Sequence, residues 1–176
     1  MVRQKKCKVC FEKFTPRYSS LQCTCFNHLC VIEWNKKVQQ KKSDKVKKEK
    51  LLGLQPLKYW IGLAQIACNT YIRVRDKGKQ CISCDKTKYT VHAGHCFPTS
   101  TSPSIRFNEN NIHNQCDECN IHLHGNGANY IIRLEKRIGK EAIEELLRLK
   151  EIPVHYTIQD LKELTMYFKE KTKALK

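Results

Sequence analysis

Cys81-Ile-Ser-Cys84, His92-Ala-Gly-His95 and Asn110-Asn111-Ile-His-Asn-Gln-Cys116-Asp-Glu-Cys119-Asn120-Ile-His122-Leu-His124 make up the stretch that decides the fold. Two C-x-x-C pairs bracket a pair of histidines and an asparagine. Four thiolates on two such knuckles suit a closed tetrahedral zinc site. The residues between the pairs are too polar to fold by burial, so a metal ion would supply the folding energy. A bare zinc ribbon without chemistry is the plainer reading. The His and Asn residues between the pairs argue against it. Cys81 to His95 is expected to form a knuckle and a short hairpin, with Tyr89-Thr-Val91 in a strand. Asn111 is expected to lead into a short helix carrying Cys116, Cys119, Asn120 and His124.

Toward the N-terminus, Cys7-Lys-Val-Cys10 is a further knuckle. Its partner pair is irregular, Cys23-Thr-Cys25-Phe-Asn-His28-Leu-Cys30. Cys25 and Cys30 are the first choice, with Cys23 and His28 as substitutes, and would complete a second structural zinc site. Phe11, Phe14 and Tyr18 are expected to pack around that metal. Residues 34 to 52 contain no Gly or Pro and many lysines, which permits an exposed basic helix. Lys36, Lys37, Lys41 and Lys42 on it could follow a phosphate backbone; a solvated spacer is the bland alternative. Residues 57 to 75 repeat apolar side chains at helical spacing: Trp60, Leu63, Ala64, Ala67, Tyr71 and Val74. Cys68 lies beside that face as a core residue.

Beyond the central stretch, helices are expected over residues 130–138 and 140–150, split at Gly139. Thr157 with Asp160 reads as a capping box that opens a last helix to about residue 173. These helices would cover the core or offer a homodimer surface. The domain reading is residues 1–34 as a zinc finger, 35–56 as a basic helical linker and 57–176 as the main domain. The fold class is α+β, with a small zinc-stapled core inside helices.

The chain carries 33 Lys and Arg against 17 Asp and Glu, a net charge of +16 that favours a polyanion, most simply nucleic acid. Its 11 cysteines cluster at metal spacing, and Val-Arg-Gln-Lys-Lys follows Met1 with no apolar leader. Both features point to a reducing cytoplasm. No apolar run approaches the roughly 20 residues of a membrane span.

Ala-Gly-His95, Ile-Arg106-Phe-Asn, Asn111-Ile-His-Asn-Gln-Cys116 and Cys119-Asn-Ile-His122, with the N-terminal cysteines and Tyr59-Trp60-Ile, resemble the NinG (Rap) family of phage recombination proteins. The family is similar in turn to HNH, or ββα-metal, endonucleases. His95, Asn111 and Asn120 stand in the order and register of the HNH residues around the second C-x-x-C. The resemblance implies a ββα-metal core and a metal-dependent endonuclease in the bacterial host cytoplasm. It implies branched recombination intermediates as substrates, such as D-loops and Holliday junctions. His95 would be the general base, and Asn111 would orient it. A catalytic divalent cation, Mg2+, Mn2+ or similar, would need ligands near His95: Asn120 by register, His124 four residues on, and His92, which replaces an Asp often found in the family. Nitrogen in place of that oxygen would shift preference toward Mn, Ni or Zn. His113 and His122 are weaker candidates. Arg106 could clamp a phosphate bidentately or serve a structural salt bridge. A zinc-dependent DNA-binding protein without catalysis is the competing class, and an RNA-directed nuclease is a third.

Overall fold

A computed structural model describes residues 3–19 and 21–176. The chain divides into two units, Met1–Gln55 and Pro56–Lys176.

In the first unit, β1 (Lys5–Lys6) pairs antiparallel with β2 (Lys13–Phe14), with the Cys7–Cys10 knuckle as the connection. Helix α1 (His28–Gly53) follows directly, and the Asn27 side chain caps it by accepting from Leu29 N at 2.9 Å. Residues 35–53 are therefore not a separate linker. They continue the helix that carries Cys30. Phe14 is buried beside Cys7 and Cys30, as expected. Phe11 and Tyr18 are not packed around the metal site: they are 71 % and 87 % exposed. The finger is too small to enclose three rings, and Val9 and Cys25 complete its core instead.

The second unit is built on α2 (Leu57–Arg75), β3 (Val91–His95), β4 (Ile112–Cys116), α3 (Gly127–Ile138), α4 (Lys140–Lys150) and α5 (Ile158–Ala174). Helix α2 buries Trp60, Ala64, Ala67, Cys68, Tyr71 and Ile72, mostly the face its periodicity marks. Leu161 and Phe168 of α5 pack against that face, with Phe107 and Ile112 completing the cluster. Thr157 and Asp160 do form the capping box of α5. A second cluster, Ile82, Ile105, Tyr130, Leu134, Ile143 and Leu146, joins α3 and α4 to the loop between the strands.

Two expectations fail between these clusters. The strand begins at Val91 rather than Tyr89, and its partner is β4, not a local hairpin arm. Residues 112–116 are that strand, not the start of a helix; all five are buried. The register is Val91↔Cys116, His92↔Gln115, Ala93↔Asn114, Gly94↔His113 and His95↔Ile112. A run as polar as Ile-His-Asn-Gln-Cys can be buried as a strand only if each polar group has a partner. The partners are distant in sequence. Asn114 Nδ2 donates to the carbonyls of Lys79 and Gln80 at 2.9 and 3.1 Å, and contacts the Tyr89 hydroxyl. Gln115 Nε2 donates to Ser83 Oγ and Gly125 O at 2.7 and 2.6 Å.

The end of α2 supplies the rest. Asp76, 1 % exposed, accepts from Arg75, from Lys79 and from the Asn114 backbone N–H. Arg75 also donates to Glu109 O and Ile112 O. Burial alone would raise the Asp76 pKa, but the hydrogen bonds and charges of Arg75 and Lys79 outweigh it and hold the carboxyl well below its usual range. A depressed folded-state pKa means this stabilisation is complete above the unfolded value and is lost as pH falls toward the folded one. Asp76→Asn is accordingly expected to cost roughly 1.5–3 kcal/mol at neutral pH, the worth of hydrogen bonds to a charged group. The loss should shrink as acid titrates the parental carboxylate. Urea melts at pH 7 check this cost, and parental stability of the variant would show that the charge contributes nothing.

Candidate metal centres and the His95 site

The eight nominated cysteines form two groups. Cys7, Cys10, Cys25 and Cys30 bring their sulfurs within 4.8 Å of one another, and so do Cys81, Cys84, Cys116 and Cys119. Cys10 and Cys25 sulfurs are 3.8 Å apart, as are those of Cys84 and Cys116. A tetrahedron with arms of about 2.3 Å has edges of about 3.8 Å, so the spacing fits zinc. Backbone N–H groups already point at sulfur: Val9 to Cys7 at 3.4 Å, Cys116 to Cys81 at 3.3 Å and Cys119 to Cys116 at 3.4 Å. Asn126 Nδ2 adds 3.4 Å to Cys119. Such donors suit thiolates rather than thiols. The two clusters could therefore each hold a zinc-like ion. Cys23 stands outside, its thiol donating to Leu21 O at 3.2 Å, and His28 is exposed at the start of α1.

His95 closes β3. Its Nε2–H donates to the Arg106 carbonyl at 3.0 Å, which fixes the tautomer and leaves Nδ1 as an acceptor. Burial pushes its pKa below the usual imidazole value, so the ring is neutral near pH 7. Asn111, fully buried, staples the loop beside it. Its Oδ1 accepts from Phe97 N at 2.8 Å, and its Nδ2 donates to Phe97 O and Ile105 O, each at 3.1 Å. Asn111 thus shapes the loop that carries the Arg106 carbonyl. The Arg106 guanidinium reaches only neutral oxygens, Gln65 Oε1 at 3.5 Å and Thr99 O at 3.2 Å. Among the described residues it has no carboxylate partner, so the salt-bridge alternative does not hold.

The expected cation ligands are dispersed. Among the described residues no third set of three His, Cys, Asp or Glu donors closes to within 4.8 Å. His92 lies three residues before His95 on β3, so the pleat turns it to the opposite face. Asn120 and His124 do not share a helical face. Glu118–His122 is a single π-helical turn, and His124, at φ 47°, and Asn126, at φ 45°, are left-handed, which breaks the chain before α3. His124 and His122 are exposed. Asn120 alone is drawn to β3, where its Oδ1 faces Gly94. His113 is committed elsewhere. Its Nδ1 accepts from Arg75 at 2.9 Å and its Nε2–H donates to Asn110 O at 3.2 Å. Lys36, Lys37, Lys41 and Lys42 are exposed on α1. Lys37 and Lys41 share one face and the other two diverge from it.

Gly94 and Gln115 were not singled out by sequence. A methyl group at Gly94 would lie 2.2 Å from Gln115 Oε1 and 3.1 Å from Asn120 Oδ1. Gln115 cannot retreat, because its amide nitrogen is held twice, and among the described residues its Oε1 has no hydrogen-bond partner. The glycine in Ala-Gly-His95 is the signal that could have revealed this contact. Gly94→Ala is expected to destabilise the second unit by roughly 1–3 kcal/mol. Trimming the obstacle in Gly94→Ala/Gln115→Ala should give a smaller loss than the sum of the single changes. Strict additivity in urea melts would refute the clash.

The family model described as "Bacteriophage Lambda NinG protein" matches residues 1–176. Protein ninG of Escherichia phage 933W is 35 % identical over 191 residues, covering 98 % of this chain and 94 % of that protein. Protein ninG of Escherichia phage lambda is 42 % identical over 134 residues, covering 76 % of this chain and 65 % of that protein. The protein of the same name from Salmonella phage P22 is 40 % identical over 134 residues, with the same coverage. No solved structure matches.

Proposed function

Because the chain belongs to the NinG family, we propose that it is a metal-dependent, structure-specific DNA endonuclease of HNH type, acting on branched recombination intermediates such as D-loops and Holliday junctions. One observation carries the reading: the neutral His95 imidazole at the end of β3, anchored through Nε2–H with Nδ1 left to accept a proton. That is the state a general base needs when it activates water for attack on phosphorus. The order β3, β4, α3 is also the order of a ββα-metal core. Arg106, which has no carboxylate partner among the described residues, suits a phosphate oxygen. The zinc-like clusters would be structural. A bound Mg2+ or Mn2+ would neutralise charge at phosphorus and help the leaving oxygen. Linear, forked and four-way DNA incubated with Mg, Mn, Ni or Zn tests the reading; cleavage of the branched DNAs is expected, and no cutting under any condition would overturn it.

A second reading, a zinc-dependent DNA-binding protein without catalysis, is favoured by one feature. His92 and Asn120 Oδ1 lie toward the opposite face of β3 from His95, so the cation ligands and the base are not gathered.

A further inference from the structure

The finger breaks two local rules within one hairpin. Phe11 has φ 63°, a left-handed conformation that a bulky side chain rarely adopts and that glycine occupies freely. The turn demands it, because Phe11 N–H donates back to Cys7 O at 3.1 Å to close the knuckle. The turn fixes the backbone of Phe11 but gives its ring no cover: the side chain is 71 % exposed. At the base of the same knuckle Lys6 lies directly opposite Lys13, a like-charge cross-strand pair, and both are exposed. Both features cost stability in the free protein. Residues 1–55 hold 14 Lys and Arg against 4 Asp and Glu. A phosphate would relieve the lysine pair, and a base with a free face would cover the ring.

We propose that the β1–knuckle–β2 hairpin contacts DNA at unpaired nucleotides, with Phe11 stacking on an exposed base and Lys6 and Lys13 holding the adjacent phosphate. The proposal draws on the DNA-acting reading only for the identity of the ligand. It assigns recognition of unpaired bases to the finger rather than to the His95 site.

The test uses the full chain with its metal ions, and reads binding to a blunt duplex, a fork with single-stranded arms and a single-stranded oligonucleotide. Phe11→Gly is expected to melt no lower than the parent and to keep its metal content, since glycine relieves the strain. It should lose roughly tenfold or more in affinity for the fork and the single strand, and little for the duplex. Phe11→Leu, which keeps an apolar side chain without the ring, should show the same selective loss. Lys6→Gln should weaken all three DNAs and lower the salt slope by about 1. Parental affinity of Phe11→Gly for the fork would overturn the proposal, and so would an equal loss on the blunt duplex. Cleavage by the parent is followed on the same DNAs. A selective Phe11 effect without any cleavage would remove the endonuclease reading and leave this one standing.

Discussion

Cys116→Ala is expected to leave residues 56–176 without a cooperative fold. Cys116 is at once a sulfur of the second cluster, the last residue of β4 and the cross-strand partner of Val91. The polar strand it ends is held by partners that the metal knuckles bring into reach, including Ser83 between Cys81 and Cys84. A structural zinc site in a small module contributes about 10–16 kcal/mol. The whole stability of a domain is about 5–15 kcal/mol, so the apolar clusters cannot absorb the loss. Cys10→Ala is the contrast: it should release the ion of the finger and leave residues 56–176 with their own unfolding transition. Metal content and urea unfolding followed together decide the matter. A Cys116→Ala protein that carries one ion fewer yet unfolds at the parental urea concentration would show that the cluster is dispensable. Burial pushes the Cys30 and Cys119 thiols up to about 12, so metal binding must expel protons at both clusters. Mild acid should release the ions before it protonates Asp76.

His95→Ala is expected to slow cleavage of branched DNA by roughly 10²–10⁴-fold while leaving affinity nearly intact. The imidazole is neutral and would contribute little to phosphate binding, which the proposed reading gives to Lys and Arg. It belongs to neither cysteine cluster, so both metal centres survive. Its lost hydrogen bond to Arg106 O should cost about 1 kcal/mol of stability. The pH profile provides a second check. A general base must be unprotonated, and burial places the His95 pKa below the ordinary imidazole value. The acid limb of the parental rate should therefore fall below about pH 6.5, the unperturbed histidine value. Cutting at the parental rate by a variant that binds normally would exclude His95 as the base. His113 could not take over, since both of its ring nitrogens are engaged behind β4. His92 would be left as the candidate.

Much of the fold was legible because its signals are local. Each C-x-x-C pair announces a knuckle by spacing alone, and the eight nominated cysteines gather in two groups, apart from Cys23 and Cys68. Helix α2 follows from apolar periodicity and α5 from its capping box. The misreadings share one cause. Phe11 and Tyr18 are aromatic but have no core to enter, and local pattern does not say how large a core is. Residues 112–116 are polar, and polarity without periodicity gives no reason to expect a buried strand.

The sequence by itself determined the two cysteine clusters, the main helices and the basic character of residues 1–55, because spacing, periodicity and charge are properties of neighbours along the chain. The tertiary structure decided that Asn114 and Gln115 are buried, that Gly94 must lack a side chain, that His92 faces away from His95 and that Asn120 and His124 part company. The burial of Asn114 and Gln115 and the bare Gly94 depend on groups 10 to 38 residues away, such as Gly125 for Gln115 and Asp76 for Asn114. A buried polar group is stable only where such a partner completes its hydrogen bonds, and the chain brings that partner to it only on folding.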